Sequence, residues 1–244
     1  MKPQALRRHF PFSDIRQLLH LTGLLVLLVL SPICSAQPVN NPAYHKMTLE
    51  GWTVYVEKSL VANNDPRVYR ALKILSHKLQ ELKTLLPQPQ LNQLINVPIW
   101  LSSNNGDTAE FYFFEQRVFR NDLNPELMDG VEFQNIDIFI KMIQFNPMLV
   151  LHELAHAYHK MHFDTIDKPI MRAYKNAEQK KLYLNVMYLN REKMKQAYAL
   201  TNAFEYFAEL TETYFGTNDF YPYTRDELKK YDPVGYRMIE AIWK

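Results

Sequence analysis

Leu149-Val150-Leu151-His152-Glu153-Leu154-Ala155-His156-Ala157-Tyr158-His159 is the stretch on which the reading turns. Positions four apart share one face of an α-helix, so His152 and His156 can aim two imidazoles at a single ion. Glu153 stands beside the first of them, where a carboxylate can take a proton from a water on an open metal position. The pattern is HExxH, and the ion it predicts is Zn2+, which lowers the pKa of such a water toward about 7 and polarises a carbonyl. The flanking Leu149, Val150, Leu151, Leu154, Ala155 and Ala157 are apolar, which predicts a buried helix. Two histidines and a glutamate inside a buried helix need partners or a ligand.

A hydrolytic zinc site takes a third protein ligand, and two candidates of different type present themselves. His162 lies ten residues beyond His152, the first-to-third histidine spacing of HExxHxxGxxH. His159 stands where that pattern has its helix-breaking glycine. The second candidate is distal, in Tyr198-Ala199-Leu200-Thr201-Asn202-Ala203-Phe204-Glu205-Tyr206-Phe207-Ala208-Glu209-Leu210. Glu205 there would complete a His2Glu set, and Glu209, one turn later, could orient a histidine by accepting its other ring N–H. Glu205 also has a purely local reading, because Asn202 with a glutamate three residues on resembles a capping box. His159 shares the ligand face one turn past His156. The polar-aromatic segment from Asn218 to Arg225 is a candidate cleft wall, Glu212 is a solvated or near-site group, and Phe204, Phe207 and Phe215 read as core.

The zinc helix together with Tyr198, Thr201, Asn202, Glu205, Phe207, Ala208 and Glu209 resembles the gluzincin metallopeptidases of the anthrax lethal factor and Pro-Pro endopeptidase group. In that group a tyrosine precedes the glutamate ligand by seven residues and faces the zinc. The resemblance implies a zincin-like catalytic domain, with Glu205 as third ligand and Tyr198 as a donor to the developing oxyanion. It covers those two segments and not the whole chain.

Outward from these segments the pattern is that of an α+β fold, a small mixed sheet followed by a mostly helical half. Trp52, Val54 and Val56 alternate with Thr53, Tyr55 and Glu57, as in a half-buried strand. Val68, Leu72, Leu75, Leu79, Leu82 and Leu86 predict a helix that Asn64 or Asp65 caps and Pro87 and Pro89 stop. Strands are expected at Val97 to Leu101, Phe111 to Phe119 and Val131 to Ile140, the last with Ile136, Ile138 and Ile140 on one side. The resemblance implies that the part of this last strand from Ile136 to Ile140, just before the zinc helix, is an edge on which an extended substrate pairs. After Asn146-Pro147 the chain reads as helical nearly to its end.

The first 36 residues read as a secretory signal peptide. Lys2, Arg7, Arg8 and Arg16 precede the apolar run Leu21 to Leu30, and Cys34-Ser35-Ala36 supplies a cleavage site. Cleavage after Ala36 would remove the sole cysteine, consistent with a periplasmic or extracellular protein that uses no disulfide. It would also take away four of the 28 Lys and Arg and one of the 26 Asp and Glu, leaving a net charge of −1. That balance argues against nucleic acid as a partner. Residues 37–46 read as a flexible lead-in and 47–244 as one domain, with a protein or peptide substrate and no membrane contact in the mature form. The expected activity is that of a secreted zinc endopeptidase. The alternatives are a metzincin-like protease that uses His162, or a non-catalytic exported zinc- or peptide-binding module.

Overall fold

Alternation sets the first layer. The computed structural model describes residues 44–103, 109–112, 129–163, 168–189 and 192–244. Strands β1 (Tyr44–Leu49) and β2 (Trp52–Glu57) form an antiparallel hairpin in register from Tyr44↔Glu57 to Leu49↔Trp52. The two linking residues both take positive φ, Glu50 at 53° and Gly51 at 100°, which suits the twist of a two-residue hairpin turn. Trp52, Val54 and Val56 are buried and their alternates half-buried, as expected from the pattern. β1 starts at Tyr44, three residues inside the segment read as a lead-in, so ordered structure begins earlier than the sequence suggested. The expected signal segment lies outside the described residues.

Short helix α1 (Lys58–Ala62) leads to α2 (Pro66–Leu85), whose N-cap Asp65 accepts a hydrogen bond from the Arg67 backbone N–H. Such a cap is worth about 1 kcal/mol. Ala71, Leu75, Leu79 and Leu82 form the buried stripe of α2. α3 (Gln88–Leu94) follows, with Pro89 in its first turn, and the Leu94 carbonyl accepts from Trp52 Nε1 at 2.8 Å. Strands β3 (Ile99–Leu101), β4 (Ala109–Tyr112) and β5 (Gly130–Phe133) complete a five-stranded sheet of order β1-β2-β3-β5-β4. β3 runs parallel to β2 and to β5, while β4 is antiparallel to β5. The sheet is therefore mixed, as expected. Residues 113–119 of the aromatic stretch lie outside the described residues.

One expected strand is a helix over half its length. β5 ends at Phe133, and Ile136–Met142 forms α4, with the Asn135 side chain capping it by accepting from Asp137 N and Ile138 N. Ile136, Phe139, Ile140 and Ile143 are its buried positions, a spacing of three and four that overrides the period of two through Ile136, Ile138 and Ile140. β5 is also interior, between β3 and β4, so the expected substrate edge is not there; among the described residues the outermost strand on that side is β4.

The second half is helical: α5 (Leu149–His162), α6 (Lys168–Gln179), α7 (Ala203–Phe215), α8 (Arg225–Tyr231) and α9 (Pro233–Trp243). An irregular excursion between α6 and α7, bridged at Leu184↔Gln196 and Met187↔Lys193, ends in a 3-10 turn at Tyr198–Leu200. α5 packs against α2, α3, β5 and, most extensively, α7. α9 closes the far side through the buried Trp243, whose indole N–H donates to Thr211 Oγ1 at 3.1 Å and whose ring stacks on Tyr158. Among the described residues no helix is long and apolar enough to cross a membrane.

Candidate metal centre

The α5–α7 contact carries the polar groups. On α5 the side chains of Leu151, Leu154, Ala155 and Ala157 are fully buried, which fixes the helix tightly enough to hold the histidines between them. α7 starts at the N-cap Asn202, whose side-chain oxygen accepts from Phe204 N at 2.8 Å and Glu205 N at 2.9 Å. The Asn202 half of the capping box is thus formed, while the Glu205 carboxylate lies against the histidines of α5. His152 Nε2 is 3.1 Å from Glu205 Oε2 and 3.1 Å from His156 Nε2, and His156 Nε2 is 3.3 Å from the same Glu205 oxygen.

Three potential ligand atoms thus stand at the corners of a nearly equilateral triangle. Zinc bonded at about 2.0–2.1 Å in a tetrahedron separates its ligands by roughly 3.3 Å, so the triangle has the size that ion requires. The chemistry of the donor set fits as well, two imidazole nitrogens and one carboxylate oxygen. All three are weakly accessible, with side-chain exposures of 6 % for His152 and 17 % each for His156 and Glu205.

Electrostatics reinforce the convergence. Burial pushes the His152 pKa down, yet hydrogen bonds and charge from Glu205 and Glu212 overcome it and hold the pKa well above its ordinary value. For Glu205 burial works upward and is outweighed by the positive charge of His156 and the hydrogen bonds of both histidines, leaving the carboxyl far below its usual range. The cluster is thus arranged to keep a carboxylate ionised beside positive charge, whether a proton or a cation supplies it.

Glu153 is buried in the same helical turn as His152. Tyr198 opens the 3-10 turn that leads into α7, and its ring centroid is 6.1 Å from that of His152. The Glu209 carboxylate, expected to orient a histidine, accepts from Asn218 Nδ2 at 3.3 Å and has a ligand-type oxygen within 4.8 Å of those of His152 and Glu212. The acceptor on His152 is Glu212, with Oε1 2.5 Å from Nδ1. The sequence reading left Glu212 between a solvated group and a near-site one, and the structure buries it completely. Its signal was the seven-residue spacing from Glu205, which returns it to nearly the same face two turns on.

His162 is placed elsewhere. Its Nε2 is 2.5 Å from Gln93 Oε1, its ring packs on Tyr158, and it is not among the residues whose ligand atoms converge. α5 continues unbroken to His162, so nothing turns that side chain back toward His152, as a glycine break would. Within the segment from Asn218 to Arg225, Asn218 and Asp219 are buried, Asn218 donates to Glu209 of α7, and Arg225 lies over the Tyr214 ring at 3.9 Å.

His159 is buried, its ring edge-on to Phe204 at 4.9 Å and near Phe163 and Phe207. Burial first, then the positive charge of His156 and Lys160, lowers its pKa to about 4. The folded ring therefore binds fewer protons than the unfolded ring between about pH 6.5 and 4, and stability is lost as pH falls through that window. His159→Leu is expected to flatten the stability-against-pH curve there, measured by denaturant unfolding at several pH values. An unchanged slope would show that His159 is not held neutral.

Comparison of the chain with protein-family models, curated proteins and solved structures gives no match.

Proposed function

We propose that the chain is a zinc-dependent endopeptidase of the gluzincin type, exported before it acts. The observation that carries this reading is the convergence of His152 Nε2, His156 Nε2 and Glu205 Oε2 within 3.1–3.3 Å of one another at the α5–α7 contact. Zinc, when bound by these three, supplies a Lewis acid that activates a water and polarises a carbonyl. Three protein ligands leave a position open, as hydrolytic sites do and structural sites do not.

The chain's own groups do the rest. Glu153, beside His152, accepts a proton from the attacking water and returns it to the departing amine nitrogen, which becomes a neutral leaving group. Tyr198 is the donor to the oxygen on which negative charge grows, a role suggested by its resemblance to the group tyrosine and by the nearness of its ring to His152. The protein walls around His152 and Glu205 limit water, so both interactions act in a medium of low dielectric.

The test is metal analysis of the purified exported protein, followed by digestion of a peptide library with and without a zinc chelator. The expected results are one zinc per chain, and hydrolysis that stops with the chelator and returns with zinc. Chelator-insensitive hydrolysis would contradict the proposal, while bound zinc without any hydrolysis would favour a non-catalytic zinc-binding module. N-terminal sequencing of the same sample is expected to start at or near Gln37. A chain that keeps Met1 would overturn the export part of the reading.

A further inference from the structure

Two glutamates of α7, Glu209 and Glu212, are buried behind His152, and with it they form a group whose ligand-type atoms lie within 4.8 Å of one another. We infer that Glu212, and not Glu209, is the positioning residue of the metal site, holding the His152 ring by its Nδ1–H so that Nε2 faces Glu205 and His156. The inference rests on the zinc reading above and adds to it a residue that the resemblance does not supply.

The geometry of the helix supports the choice. His152 lies lengthwise between two carboxylates of α7, with Nε2 3.1 Å from Glu205 and Nδ1 2.5 Å from Glu212. Those two contacts nearly fill 6 Å before the width of the ring is added. At a rise of about 1.5 Å per residue, a residue four beyond Glu205 stands only about 6 Å along the axis, whereas one seven beyond stands about 10.5 Å along it. Seven residues also return within roughly 20° of the starting face, while four overshoot by about 40°. An imidazole bridged end to end by two side chains of one helix is therefore served by the spacing 205/212, while Glu209 accepts from Asn218 Nδ2 to one side of that bridge.

The chemistry of Glu212 agrees. Its side chain has no solvent exposure, and among the described residues Oε2 has no hydrogen-bond partner, so Oε1 on His152 is the contact that compensates the carboxylate. A buried carboxylate committed to one ring N–H fixes the tautomer, and it makes the opposite nitrogen a better donor to a metal. It also stands in a buried stretch of α7, between Leu210 and Tyr214 and beside the Trp243–Thr211 hydrogen bond. A rigid support of that kind is what a positioning residue needs.

The experiment is competition titration with a chromophoric chelator on the full mature protein, comparing wild type with Glu212→Ala, Glu212→Gln and Glu209→Gln. Loss of such an outer partner typically weakens metal binding about 10–100-fold, and that is expected for Glu212→Ala, with a smaller loss for the isosteric Glu212→Gln and none beyond about threefold for Glu209→Gln. The second readout is the visible spectrum of the Co2+-loaded proteins, which reports ligand geometry directly. A shift is expected in both Glu212 variants and not in Glu209→Gln. Because Glu212→Gln preserves shape, its spectrum and affinity decide the matter even if Glu212→Ala fails to fold. Unchanged affinity and spectrum in Glu212→Gln, or a larger effect at Glu209, would overturn the inference while leaving zinc binding by wild type intact. A wild-type protein that takes up no zinc would remove both readings together.

Discussion

Glu153→Gln is expected to keep its zinc and lose its turnover. Glutamine preserves the size of the side chain and its place in the buried turn beside His152, so α5 should pack as before. What goes is the carboxylate that, beside the first ligand and not spent on holding it, would take a proton from water and return it to the leaving nitrogen. General acid–base catalysis contributes about 10²–10⁴-fold, and a loss of that size in kcat with little change in KM is the expected signature, since the group acts in the transition state. Zinc content measured on the same sample should stay at one per chain. Wild-type turnover in a folded, zinc-loaded Glu153→Gln would remove Glu153 from the mechanism.

Glu205→Ala is expected to act on the metal itself. The substitution removes one of three converging ligand atoms and the ionised carboxylate that His152 and His156 hold far below its usual pKa. The loss of zinc affinity should exceed the about 10–100-fold that an outer partner costs, so the purified variant should carry little zinc. His162→Ala should retain its metal, because that ring contacts Gln93 and Tyr158. Tyr198→Phe should also retain it and lose turnover, since only a hydroxyl is deleted.

How much of this was legible follows from the kind of signal each part carried. His152 and His156 could be placed on one face because helical spacing alone determines it. Glu205 could be named as a candidate because HExxH supplies only two ligands and because of the resemblance, but sequence could not say whether its carboxylate closed a cap or reached a metal. In the structure Asn202 caps the backbone while the Glu205 side chain is spent on the histidines. Glu212 could be named but not decided between a solvated and a near-site group, because its role depends on how α7 crosses α5, a tertiary fact. The second half of β5 misled for a different reason. Ile136, Ile138 and Ile140 satisfy a period of two, and the cap at Asn135 was the overlooked sign that a helix starts there. β1 was missed because Tyr44 to Leu49 does not alternate cleanly and Glu50-Gly51 is not one of the strong turn pairs, although both residues take positive φ in the structure. The order β1-β2-β3-β5-β4 was beyond the sequence, since parallel neighbours are chosen by packing over long separations.

The most direct measurement is an anomalous-scattering map at the zinc edge from crystals of the mature protein grown with zinc. The predicted result is a single ion at the α5–α7 contact, about 2.0–2.2 Å from His152 Nε2, His156 Nε2 and a Glu205 oxygen, with the remaining position open to solvent. An ion bound through His162, or zinc found only at sites away from His152, His156 and Glu205, would contradict it.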